Sequence, residues 1–234
     1  MSKIFRYECR RLLLSKFFFG LAAVTCFYGW QVLEHVTILG IAHTASFSPW
    51  SFGDYLSRLL PLLWLGTLFS VSVYTNGAER RAAMLTQAAP MHPAVYRLAR
   101  FLCVLTASAL LSLAAVFTAV CFYARMFRWH DWGTFVLPAL VTLAPALLFA
   151  AGGGWLIGYM RVWLLVPWAL FPFLSAALPL PEALGLWNGK LFSTRPLLLP
   201  SLDPAFSLSP ETIVMQCALA LAGAGLFFWA ALKK

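Results

Sequence analysis

Residues 76–100 read NGAERRAAMLTQAAPMHPAVYRLAR, a polar interval between two apolar runs at residues 55–74 and 101–123. At 1.5 Å rise per residue, each run is long enough to cross a hydrocarbon core of about 30 Å as a helix. The interval therefore reads as a loop between two membrane spans. Arg80, Arg81, Arg97 and Arg100 stand in it against a single acid, Glu79, a bias that places it on the cytoplasmic face. Residues 79–86 are good helix formers able to prolong the preceding span, whereas Pro90 and Pro93 interrupt a helix. Pro93 suits the first position of the next helix, where its missing N–H costs nothing. Helix, break and helix make an elbow. Met84, Leu85 and Met91 can fill an apolar groove on a partner, Glu79, Arg80, Arg81 and Arg97 can set its rim, and the bend at Ala89-Pro90 fixes its direction. The plainer reading of the same residues is a solvated hairpin that only connects two spans.

Composition fixes the setting of this elbow. The chain has 234 residues, 62% of them hydrophobic, and a mean hydropathy of +0.81. This is the composition of an all-α integral membrane protein, with no soluble domain of ordinary size left once the apolar runs are set aside. A pI near 9.7 invites a nucleic-acid reading, but the basic residues sit at the ends of apolar runs, where they report orientation in a bilayer. Cys9, Cys26, Cys103, Cys121 and Cys217 all fall outside the intervals assigned to the outer face, so no disulfide framework is expected.

The organisation predicted for residues 1–234 is a single transmembrane domain. An interfacial helix occupies 1–16, with Ile4, Phe5, Cys9 and Leu12 on one side and Lys3, Arg6 and Arg10 on the other. Glu8 sits awkwardly on the apolar side. Spans follow at about 17–39, 54–76, 98–123, 134–160, 163–178 and 213–232, with the elbow at 77–97 and a long outer segment at 179–212. Pro49 and Trp50 are placed in an outer loop, at the interface, and Asp54 with Arg58 forms an i,i+4 pair at the outer end of the second span. This map puts twelve of the seventeen Lys and Arg residues inside and leaves Arg58, Arg125, Arg128, Lys190 and Arg195 outside, so both termini are cytoplasmic.

Chemistry-bearing patterns are few. Gln31, Glu34 and His35 lie toward the outer end of the first span, where ionisable groups at membrane depth are candidates for a substrate path; reach to headgroups and water is the plainer account. Trp187 belongs to the proline- and leucine-rich outer segment, which is expected to fold as short helices and to suit a lid over an exit path. Gly152, Gly153, Gly154 and Gly158 strip side chains from one half of the fourth span, reading either as close helix contact or as a hinge. There is no phosphate-binding loop, no His-Glu-x-x-His and no Gly-x-Ser-x-Gly. No catalytic residue, cofactor site or metal site is expected in this chain.

The layout resembles the type-2 permeases of ATP-binding-cassette exporters: an amphipathic N-terminal helix, six spans, a bent basic elbow between the second and third, and a long outer segment between the fifth and sixth. Glu79, Met84-Leu85, Ala89-Pro90 and a basic residue at Arg97 or Arg100 are similar to that family's Glu…Leu-Leu…Pro…Arg/Lys pattern, with Arg80-Arg81 where many members have a Gly-rich turn. The resemblance implies an elbow docked on a separate ATPase subunit that holds ATP and Mg. It also implies two permease chains, identical or paralogous, moving a substrate outward across the inner (cytoplasmic) membrane; the apolar, aromatic spans suit an amphipathic peptide or lipid. Two other classes stay open at this point: an ion-coupled secondary transporter, and a non-transporting membrane scaffold or immunity protein.

Overall fold

The structure, a computed structural model, describes residues 2–41, 44–77, 79, 93–178 and 184–232. Among the described residues it contains helices and no strand. A short helix α1 (Ser2–Leu13) precedes α2 (Lys16–His35), α3 (Pro49–Thr75), α4 (Pro93–Phe127) and α5 (Gly133–Met160). Then come α6 (Leu165–Ala177), α7 (Lys190–Leu198) and α8 (Pro210–Leu232). Five of these, α2, α3, α4, α5 and α8, are long and apolar enough to cross a membrane. Large apolar side chains stay exposed along their outer faces, among them Phe27 on α2, Leu140 on α5 and Leu221 on α8. In water such surfaces would aggregate; in lipid they are the solvated side. The chain is a multi-pass membrane protein.

The helix ends follow from local chemistry. The second span starts earlier than expected, at Pro49, because the Ser48 side chain accepts from the Ser51 N–H at 3.2 Å and Pro49 takes the first helical turn. Pro49 and Trp50 are therefore not loop residues at an interface. Trp50 is fully buried, its indole N–H donates to the Pro204 carbonyl at 2.8 Å, and its ring lies 4.9 Å from Phe206. As expected, α4 begins at Pro93, ahead of the span placed from about 98. With 35 residues it measures about 52 Å, well beyond a 30 Å hydrocarbon core, so its ends must project. Helix α5 keeps its expected limits despite Pro138 and Pro145. Residues 163–178, by contrast, are divided between a 3-10 turn, Val162–Leu164, and α6, whose 13 residues rise only about 20 Å.

Around α3 the core is assembled, with α2, α4, α5, α6 and α7 all packed against it. Its buried face runs from Trp50 through Leu60 and Trp64 to Val71 and Tyr74. Polar groups inside are paired between helices: Thr67 with Ser108 at 2.8 Å, and the Tyr55 hydroxyl donating to the Ala115 carbonyl at 2.8 Å. The four glycines of α5 are contact points in a continuous helix. A Cβ at Gly152 would stand 1.9 Å from the Gly223 carbonyl oxygen of α8, and one at Gly158 would stand 2.7 Å from Thr75 Oγ1 of α3. Gly153 lies beneath Trp168 and Gly154 against Leu68.

Helix α5 thus ends beside the end of α3, while α8 runs parallel to α5 and finishes with Ala231 near Arg97 at the start of α4. Residues 161–209 accordingly lead from one end of the bundle to the other. The bundle has a polar end, where α3 stops and α4 starts, and an aromatic end, where α3 begins.

Candidate functional site

The polar end contains a cluster drawn from three separate parts of the sequence. Asn76, with ψ of 151°, ends α3 and turns the chain toward Glu79. Pro93 starts α4, which brings Tyr96 and Arg100 to the same level. On the other side, the Ser15 side chain accepts from the Phe18 N–H at 3.2 Å, separating α1 from α2 and letting α1 fold onto α4. The apolar face of α1 packs through Cys9 and Leu12 onto Phe101, Cys103 and Val104. Both thiols are free, with the sulfurs of Cys9 and Cys103 2.9 Å apart.

Glu8 is carried inward by this packing and is only 3% exposed. Its Oε1 accepts from Arg100 Nε at 3.0 Å and from the Tyr96 hydroxyl at 2.9 Å, while its Oε2 faces Arg11 Nη1 at 3.8 Å. Arg100 Nη2 donates to Glu79 Oε2 at 2.7 Å, and Arg11 Nη2 donates to Glu79 Oε1. The Arg100 guanidinium also lies over the Tyr96 ring at 4.3 Å and the Tyr74 ring at 5.3 Å. The Tyr74 hydroxyl donates to the Glu8 carbonyl at 3.2 Å. Two carboxylates and two guanidiniums balance in charge, which is what permits ions to be buried here.

Burial works to raise the Glu79 carboxyl. The Arg11 hydrogen bond and the charges of Arg100 and Arg11 outweigh it and hold the group below the usual carboxylate range. Arg11 is raised in turn by its hydrogen bond to Glu79, against the cost of desolvation. Among the described residues no group of three or more His, Cys, Asp or Glu is arranged to hold a metal ion. The chemistry of the cluster is that of a clamp: it ties α1, the chain leaving α3 and the first turns of α4 into one unit.

Of the residues expected at a partner contact, Arg80, Arg81, Met84, Leu85, Pro90 and Met91 lie outside the described residues. Glu79 and Arg97 are described, and both are engaged within the chain. Arg97 Nη1 donates to the Ala231 carbonyl at 2.8 Å and its guanidinium lies 5.4 Å from the Tyr159 ring centre. Glu8 and Arg11 were not expected in a site. The signal was present in the awkward position of Glu8: a lone acid on the apolar face of a helix requires a cation opposite it.

At the aromatic end the candidate path residues are not brought together. Glu34 and His35 are exposed and Gln31 is half-buried, all on α2. Trp187 is buried among other rings, 5.6 Å from Trp64, 5.8 Å from Phe171 and 6.0 Å from Phe149. The segment 184–209, with α7 as its short helix, covers the beginning of α3: Phe192 fills the space over Gly53, and Gly189, at φ 75°, fits against Asp54 and Ser57. The expected Asp54–Arg58 pair is present at 2.7 Å. A cavity of about 730 Å³ opens between α4 and α5, lined by apolar residues including Leu113, Val116, Val136 and Leu140; none of the candidate path residues borders it. Comparison of the chain with models of known families, with curated proteins and with solved structures finds no match.

Proposed function

We propose that the chain is the permease subunit of an ATP-binding-cassette exporter in the inner (cytoplasmic) membrane. In this reading α2 to α6 and α8 make six crossings, α1 lies at the interface, and both termini are cytoplasmic. Supporting the sixth crossing is the route of residues 161–209, which traverse the bundle from the polar to the aromatic end. The excess of Lys and Arg at the polar end supports the orientation. A separate ATPase subunit binds ATP and Mg and grips the elbow. A second permease chain completes the path, and an amphipathic peptide or lipid moves outward.

One observation carries the reading most: the clamp at the base of residues 77–97. A projection can transmit a push only if its base is held, and here Glu79 at one side of the elbow and Arg100 at the other are joined directly. Displacement of the elbow would therefore move α1 and α4 together.

The test is Leu85→Asp, which places a charge in the apolar part of the elbow. The variant should insert in the membrane like wild type but lose about 2 kcal/mol of docking energy, roughly a thirtyfold loss of association. Arg80→Ala, at the rim, should cost less than about 1 kcal/mol. Mg-dependent ATP hydrolysis that co-purifies with each protein from detergent-solubilised membranes is the readout. Undiminished recovery with Leu85→Asp would leave the elbow as a connector only.

A further inference from the structure

Helix α1 is sorted by charge more sharply than its composition indicates. Its one acid, Glu8, is turned inward and neutralised by Arg100. Lys3, Arg6 and Arg10 are exposed, and none of them forms an ion pair among the described residues. At 100° per residue, Lys3, Arg6, Arg10 and the 70% exposed Tyr7 fall within an arc of about 100°, opposite Phe5, Cys9 and Leu12. The face is thus a strip of uncompensated positive charge with an aromatic ring set in it. It lies level with the last turn of α3, through the Tyr74 bond to Glu8, and with the first turns of α4, through Arg100. That is where the apolar spans give way to polar chain, the depth at which lipid headgroups lie.

From this we infer that the outward face of α1 binds the headgroups of anionic phospholipids, with Lys3, Arg6 and Arg10 on the phosphates and Tyr7 at the boundary with the acyl chains. Charge complementarity selects the partner. A zwitterionic surface offers no net field to three unpaired cations, whereas an anionic leaflet attracts each of them. Since Glu8, across the helix, is fixed to Arg100 and Arg11, on the flank of the strip, is fixed to Glu79, lipid charge bears directly on the clamp. The inference depends only on the chain being in a membrane and not on its being a transporter.

The full chain in nanodiscs of phosphatidylcholine alone, or of phosphatidylcholine with phosphatidylglycerol, provides the test, read by amide hydrogen exchange over residues 2–13. Exchange should be slower in the anionic discs by about tenfold or more, as the attraction per basic residue implies. Added salt should reduce the difference, and Lys3→Gln/Arg6→Gln/Arg10→Gln should abolish it. Equal exchange of wild type in the two lipids would overturn the inference, as would a difference that survives in the triple variant. Protection that requires a co-purifying protein and ignores lipid charge would assign the face to that protein and also overturn it.

Discussion

The two ends of the bundle are held by different physics. At the polar end, Glu8, Arg11, Glu79 and Arg100 form a charge-balanced lattice in which each ion depends on the others. At the aromatic end, Trp50 with Phe206, Phe52 with Phe135 and Phe192 with Phe206 pack with ring centres 4.6–6.4 Å apart, and the one ion pair there among the described residues, Asp54–Arg58, is half exposed on its basic side. Ring packing has only weak orientational preferences and tolerates small displacements in proportion to lost contact. A buried ion lattice tolerates none, because removing one member strands another in a medium that cannot solvate it. An end built in the second way is suited to moving as a unit, and an end built in the first way to yielding gradually.

The strongest test of this contrast is Arg100→Ala. It leaves Glu8 buried with the Tyr96 hydroxyl but with no cation nearer than the distant Arg11, and should cost about 3–5 kcal/mol. Equilibrium unfolding in mixed micelles measures it. Glu8→Met/Arg100→Met should recover part of the loss, because neither charge then remains stranded. A cost below about 1 kcal/mol for the single variant would mean that water reaches the cluster and that the ends do not differ in kind.

A smaller effect, confined to the other end, is expected from Gly53→Ala. The added Cβ would meet Phe192 Cε1 at 2.1 Å, and Phe192 is fully buried. Overpacking of this kind costs about 1–3 kcal/mol, and the easiest relief is displacement of α7. Hydrogen exchange should accelerate over residues 184–198 and stay unchanged over α1. Acceleration at both ends would break the comparison by showing that they open together.

How much of this was legible beforehand depends on the range of the interactions. Apolar runs gave the long helices, since a span depends on local composition alone; α5 matches its expected limits within a residue. The Asp54–Arg58 pair was legible for the same reason, being one turn apart. Trp50 was misplaced because an aromatic residue after Pro49 reads equally well as an interfacial anchor and as the first turn of a buried helix. Only the Pro204 carbonyl, 154 residues away, decides between them. The clamp joins Glu8 to Arg100 across 92 residues, and no periodicity reports that distance. What the sequence does show is the frustration of Glu8 on an apolar face, which announces that a partner exists without naming it.

The smallest expected effect separates the exposed member of the lattice from its buried members. Arg11 keeps 43% of its side chain exposed, so solvent screens it, and Arg11→Ala should cost less than about 1 kcal/mol. Its signature should be in pH rather than in stability at neutrality. Glu79 is held below its unfolded value chiefly by Arg11 and Arg100. Its contribution is therefore complete above the unfolded value, about 4.3, and is lost as pH falls through the lower folded value. In wild type, exchange over α1, corrected for its intrinsic pH dependence, should stay flat down to the ordinary carboxylate range and rise only below it, while residues 184–198 show no such step. Removing Arg11 takes away the hydrogen bond that lowers Glu79, so the step should move to higher pH. A step that stays in place in Arg11→Ala would assign the hold on Glu79 to Arg100 alone, and Arg11 would then be a surface residue with no part in the clamp.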